Sequence, residues 1–185
     1  MGIISVLIIF VCICVDNMVS ANMSAIKLSP DKKSIFSIKL GLFFAGFNAL
    51  WFTVGYIASM IFFRSWVHFA NHWVAFAFLL LLGIKFMMES IEKSPSFNNV
   101  DVDDTRKLVK VSSVIGLNSF LVGYAVETMD KAYLPQLILL LIISFVLTML
   151  GFHLGKKTSK TIVSKRVELV AGLMLIVMAI KMIII

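Results

Sequence analysis

Six apolar runs, each long enough to cross a bilayer and each set off by charged or turn-forming residues, dominate the sequence: about 3 to 26, 36 to 63, 69 to 90, 108 to 127, 134 to 155 and 163 to 185. A helix rises about 1.5 Å per residue, so about 20 apolar residues span the hydrocarbon core. No water satisfies a peptide group there, and a helix, which pairs its own, is the form such runs must take. The spans consume most of the 185 residues and leave no room for a separate soluble domain. The expected fold class is an all-α integral membrane protein with six transmembrane helices, a single membrane domain over residues 1–185. With 60% hydrophobic and 15% charged residues, the composition is too apolar for an ordinary water-soluble domain.

The first run imitates a signal peptide, since Val19-Ser20-Ala21 has the small-x-small look of a cleavage site. No basic segment precedes Ile3, however, and Asp16 interrupts the apolar stretch, so the run is expected to stay as a span. Cys12 and Cys14 lie within it and offer neither a disulfide framework nor a metal-knuckle spacing.

The formal charge of +7 suggests nucleic acid until the 17 Lys and Arg residues are placed against the spans. Connections 1-2, 3-4 and 5-6 carry thirteen of them, among them Lys32, Lys33, Arg106, Lys107, Lys156 and Lys157, whereas the opposite side has Arg64 and Lys131 only. That asymmetry is a positive-inside signal: the three connections face the cytoplasm and both termini lie outside it. The charge is read as orientation, and no nucleic-acid partner is expected. The longest connection, 91–107, holds Pro95, Asn98, Asn99, Asp101, Asp103 and Asp104 and reads as a solvated cytoplasmic linker between halves.

The halves, 1–90 and 108–185, resemble each other. At an offset of 96, Ala75, Leu79, Ile84 and Lys85 fall on Ala171, Leu175, Ile180 and Lys181, and Gly55 falls on Gly151. At an offset of 102, Asp16-Asn17 faces Asn118-Ser119. A unit of three spans repeated once must be inserted upside down the second time. Two inverted three-helix repeats with a site between them near the midplane is the expected architecture.

Ionisable groups inside a membrane are costly and mark function by default. Asp16 is the one carboxylate deep in a span. At about 100° per residue Asn17, Ser20 and Ser24 share its side of the helix. Asn118 is similarly central in span 4, with Ser119 beside it, and Asn48 in span 2 shares its face with Gly41, Ala45, Gly55 and Ser59. Carboxylate, amide and hydroxyl oxygens are hard donors suited to Mg²⁺, Ca²⁺ or Mn²⁺, and the candidate metal ligands are Asp16, Asn17, Ser20, Asn48 and Asn118. For the asparagines, hydrogen bonding between helices is an equally good account. Lys85 and Lys181, near the ends of spans 3 and 6, read as snorkelling side chains, and His68 and His72 as interfacial. The sequence contains no nucleophile with a partnered base, phosphate-binding loop or zinc signature, so neither catalytic residues nor a cofactor is expected.

Several segments together resemble the MntP family of manganese efflux pumps, relatives of the LysE transporter superfamily. They are Cys14-Val-Asp16-Asn17-Met-Val-Ser20, Gly41-Leu-Phe-Phe, Asn71-His-Trp-Val-Ala-Phe76 through Gly83 to Glu89, and Lys165-Arg-Val-Glu168-Leu-Val-Ala-Gly172. The resemblance implies six helices and export of Mn²⁺ across the bacterial inner membrane through acidic residues near the midplane, with Asp16 as the family's first-helix aspartate. It also implies two departures: Asn118 stands where the family usually has aspartate, and Asn48 where a glutamate is common. Each keeps an oxygen and removes a charge. Beside the cation exporter stand two alternatives, a non-transporting membrane scaffold of the same fold and an exporter of a small organic solute. The expected partners are the divalent cation and the lipid bilayer; the oligomeric state is open.

Overall fold

The computed structural model describes residues 3–27, 33–63, 70–91, 105–128, 132–157 and 161–184, and among them every regular element is helical. The helices are α1 (Ile3–Ile13), α2 (Val15–Lys27), α3 (Lys33–Phe63), α4 (Ala70–Ile91), α5 (Thr105–Thr128), α6 (Tyr133–Lys157) and α7 (Thr161–Ile184). The first expected span is α1 and α2 end to end. Its regular pattern pauses at Cys14, where bonds from Cys14 N to Phe10 O (3.1 Å) and from Met18 N to Cys14 O (3.2 Å) carry the backbone across.

The other five runs are one helix each, with ends shifted by a few residues. The largest shifts are equal, at the starts of α3, which begins at Lys33, and of α5, which begins at Thr105 and takes in Arg106 and Lys107, residues that loop-like polarity had placed in the linker. Both are good helix formers whose long stems let a charged first turn reach water. Pro135 lies in the first turn of α6, where a helix needs no donor from it. The rest of the linker, with its acidic group, lies outside the described residues, as do His68 and the side chain of His72.

Five helical segments among the described residues are long and apolar enough to cross a membrane: Ile4–Ala25, Phe36–Ile61, Trp73–Ile91, Arg106–Glu127 and Tyr133–Gly155. Large apolar side chains point outward as well as inward; Ile4, Leu42, Ile61, Leu81, Leu134 and Val177 are all more than half exposed. Such a surface suits lipid and not water. The chain is a multi-pass membrane protein. The α1–α2 segment stands apart, with 72% of its length buried against 28% to 56% for the other four. No described side chain of α2 is exposed. It is the enclosed element around which the rest is arranged.

Three close pairs build the bundle: α3 along α5, α2 along α6, and α4 along α7. Without a hydrophobic drive between helices in lipid, small residues that let backbones touch dominate such contacts. A Cβ on Gly55 of α3 would lie 2.0 Å from Phe120 O of α5, and one on Gly151 of α6 would lie 2.1 Å from Met18 O of α2. In the third pair Gly83 and Gly172 face each other, each hypothetical Cβ within 2.9 Å of the other's carbonyl oxygen.

These contacts predict which glycines are indispensable. Gly55→Ala and Gly151→Ala force two backbones apart and are expected to cost about 2–3 kcal/mol each. Gly46→Ala, where an added Cβ meets nothing within 4 Å, is expected to be neutral or mildly stabilising. Thermal unfolding of the detergent-solubilised protein, followed by loss of the monodisperse size-exclusion peak, separates the two classes.

Candidate functional site

Four helices each carry a polar break flanked by apolar residues, and tertiary packing brings the breaks to one level. On α2, Asp16 Oδ2 accepts a bond from Asn118 Nδ2 of α5 at 2.5 Å. Next along α5, Ser119 Oγ donates to Asn48 Oδ1 of α3 at 2.9 Å. Asn48 Nδ2 donates in turn to Ser144 Oγ of α6 at 3.0 Å, and Asn17 Nδ2 donates to the same oxygen at 2.8 Å. Because Asn17 follows Asp16 in the chain, the bonds close a ring through all four helices. Asp16, Asn17, Asn48, Asn118, Ser119 and Ser144 are each at most 4% exposed.

The ring is a polar layer between two apolar clusters. One contains Phe10, Phe52, Val122 and Leu140, the other Phe44, Ile115, Ala21 and Phe152. Asn48 on α3 therefore lies between Phe44 and Phe52, Ser119 on α5 between Ile115 and Val122, and Ser144 on α6 between Leu140 and Phe152. With apolar packing on both sides and so little exposure of the ring, every unsatisfied polar atom is costly.

Two such atoms belong to this layer: Asn17 Oδ1 and Ser20 Oγ are buried and have no hydrogen-bond partner in the protein. They are one turn apart on α2 and share a face. An unmet buried acceptor costs roughly 1–3 kcal/mol, so the layer holds oxygen capacity that the protein itself does not use. Ser24, grouped with them by sequence periodicity, behaves otherwise: its hydroxyl donates to Ser20 O at 2.8 Å, spent on its own helix.

All five expected ligands are buried, and the hydrogen bonds join all but Ser20 in two groups. Asp16 meets Asn118 on one side of the ring, while Asn17 and Asn48 meet through Ser144 on the other. Among the described residues no three His, Cys, Asp or Glu side chains gather into a metal-binding group. The donor set is one carboxylate with neutral oxygens.

Three contributors were missed or misread. Ser144 left one signal, as the single polar residue between Leu137 and Leu147, and Ser119 was noted only as a neighbour of Asn118. Lys85 requires a correction. Its position near the end of span 3 suggested snorkelling, yet its Nζ turns inward, donating to Asn118 Oδ1 at 2.9 Å and standing 3.8 Å from Asp16 Oδ2. The attraction of a buried carboxylate outweighs the short reach to the helix end. Glu89, one turn on, is 3.5 Å from the same ammonium, and Glu168 of α7 also lies within Coulombic reach of Asp16. Lys181, by contrast, stays in the last turn of α7 and donates to Ser5 Oγ at 3.2 Å.

Comparison with known proteins adds an independent line. The family described as "Putative manganese efflux pump" matches residues 31–183, a stretch that includes Asn48 and Asn118 and begins after Asp16. A relative of that name, MntP, from Campylobacter jejuni is 30% identical over 145 residues, covering 78% of this chain and 76% of the relative. One from Crocosphaera subtropica is 27% identical over 148 residues, covering 80% and 78%. Another from Clostridium botulinum is 26% identical over 154 residues, covering 78% and 76%. No solved structure matches the chain. With the family's pattern running through most of its length, the chain belongs to the MntP family.

Proposed function

We propose that this protein is a secondary transporter that exports a divalent metal cation, Mn²⁺ foremost, across the bacterial inner membrane. The carrying observation is the buried ring itself: a carboxylate in the most enclosed helix, joined to amide and hydroxyl oxygens from three others, with Asn17 Oδ1 and Ser20 Oγ left over. Structural packing alone gives no reason to bury an acid there, whereas a cation passing through supplies one. The relatives' names point to manganese, and oxygen donors suit it. Asp16 is the principal ligand in this reading, with Asn17, Ser20, Asn48 and Asn118 supplying neutral oxygens.

Alternating access follows from the architecture proposed here: six spans in two inverted repeats, 1–90 and 108–185, joined by the linker 91–107. The contacts support it. Gly55 packs on Phe120 and Gly151 on Met18; adding 96 to 55 gives 151, and adding 102 to 18 gives 120, the same offsets that relate the two halves of the sequence. Each repeat's second span thus grips the other repeat's first span. Rocking one repeat against the other would part the apolar cluster on one side of the ring and then the one on the other.

In everted membrane vesicles loaded by a proton gradient, Asp16→Ala is expected to lower Mn²⁺ transport at least about 100-fold, given the several kcal/mol a buried charge contributes to cation binding. Transport equal to wild type in that variant would overturn the site. Asn118→Asp puts a second carboxylate beside Asp16, a repulsion that a divalent ion relieves, and is expected to tighten Mn²⁺ binding about tenfold. Isothermal titration reads that change directly. If a deletion strain tolerates Mn²⁺ as well as its parent and the vesicles transport nothing, the scaffold reading takes the place of this one. For orientation, a C-terminal alkaline phosphatase fusion is expected to be active, because that enzyme folds only outside the cytoplasm; activity of a cytoplasmic reporter at the same point would reverse the topology.

A further inference from the structure

The Asp16 carboxylate already has a cation beside it. Lys85 is the basic residue paired with Asp16 among the described residues. Its ammonium stands between two carboxylates, 3.8 Å from Asp16 Oδ2 and 3.5 Å from Glu89 Oε1. The two differ in surroundings: Asp16 is 4% exposed and Glu89 23%. Lys85 itself is 39% exposed. It reaches the ring through Asn118 Oδ1, the oxygen that a metal at Asp16 would need. A lysine is a compact charge on a stem of four rotatable carbons, and Glu89 is one turn along the same helix. The ammonium can therefore leave Asp16 without losing a carboxylate partner.

We propose that Lys85 is a tethered counter-cation: its ammonium occupies the Asp16–Asn118 end of the ring while no ion is bound, and yields that place to the transported ion by passing to Glu89. This rests on the cation-export reading above. The exchange forms and breaks no covalent bond, moves the ammonium along α4 and needs no co-reactant. It solves two problems. The empty ring never holds an unpaired buried carboxylate, which would be costly. The ion, once bound, also meets a competitor that favours its release. Lys85 is in this sense a positioning and affinity-setting residue and not a ligand. With the basic connections in the cytoplasm, the Ile91 end of α4 faces the cytoplasm, so the ammonium retreats along the side from which the ion arrives.

The test uses full-length protein in detergent and in proteoliposomes, with Mn²⁺ as the probe. In the wild type, saturating Mn²⁺ is expected to raise the labelling of Lys85 by a small amine-reactive reagent several-fold, read by peptide mass spectrometry; Asp16→Asn is expected to raise it without metal. Lys85→Gln is expected to bind Mn²⁺ about tenfold more tightly, a modest factor because a residue this exposed is screened, and to turn over more slowly. Lys85→Arg, which keeps the charge, is expected to retain wild-type affinity. Labelling unmoved by Mn²⁺, or unchanged or weaker binding in a Lys85→Gln protein that elutes as wild type, overturns the proposal. Asp16-dependent Mn²⁺ transport together with either of those results leaves the export reading standing. Absence of Mn²⁺ transport and binding in the wild type and every variant removes both.

Discussion

One constraint organises this protein: a carboxylate buried in a helix that is itself enclosed on all sides. Taking a charge out of water costs several kcal/mol even after relaxation, and a structure that does so must surround the charge with compensating groups. Here the compensation comes from separate helices, the Asn118 amide of α5 and the Lys85 ammonium of α4. Neither is close to Asp16 in the chain. The cost of burying Asp16 is thus met only by the assembled bundle, which ties helix packing and site chemistry together.

The glycine contacts serve the same end. Side chains as short as those of asparagine and serine bridge two helices only when the backbones nearly touch. Gly55 against Phe120 brings α3 to α5, near the level where Asn48 meets Ser119; Gly151 against Met18 brings α6 to α2, near the level where Ser144 meets Asn17. A methyl group at either glycine would open the ring as well as the packing. Polar layer and small-residue packing are two aspects of one arrangement, with an apolar cluster on either side.

Much of the fold was legible in the sequence because the bilayer imposes it. Apolar run length fixes where helices fall to within a few residues, and the first turns of α3 and α5, polar enough to resemble loops, were the parts misplaced. The buried polar residues of the ring were legible for the same reason: Asp16, Asn48 and Asn118 are conspicuous where lipid tolerates little polarity. The less conspicuous members escaped. Ser144 is small and lone hydroxyls in apolar helices often bond their own backbone, as Ser112 and Thr148 do. Lys85 was misread because a lysine near a helix end has an ordinary explanation, and only the nearness of Asp16 overrides it.

What the sequence determined by itself, then, is a helical membrane chain, the approximate extent of its helices and the buried acid at position 16. These depend on the solvent, through run length and the cost of charge in hydrocarbon, and need no knowledge of neighbours. Tertiary structure alone decided which polar groups meet: that Asn118 and not Asn48 bonds Asp16, that Ser144 links Asn17 to Asn48, and that Lys85 turns inward. Those contacts join residues from 33 to 127 positions apart. Helix periodicity fixes the face on which a residue lies, but only the close approach of two backbones fixes the residue it touches.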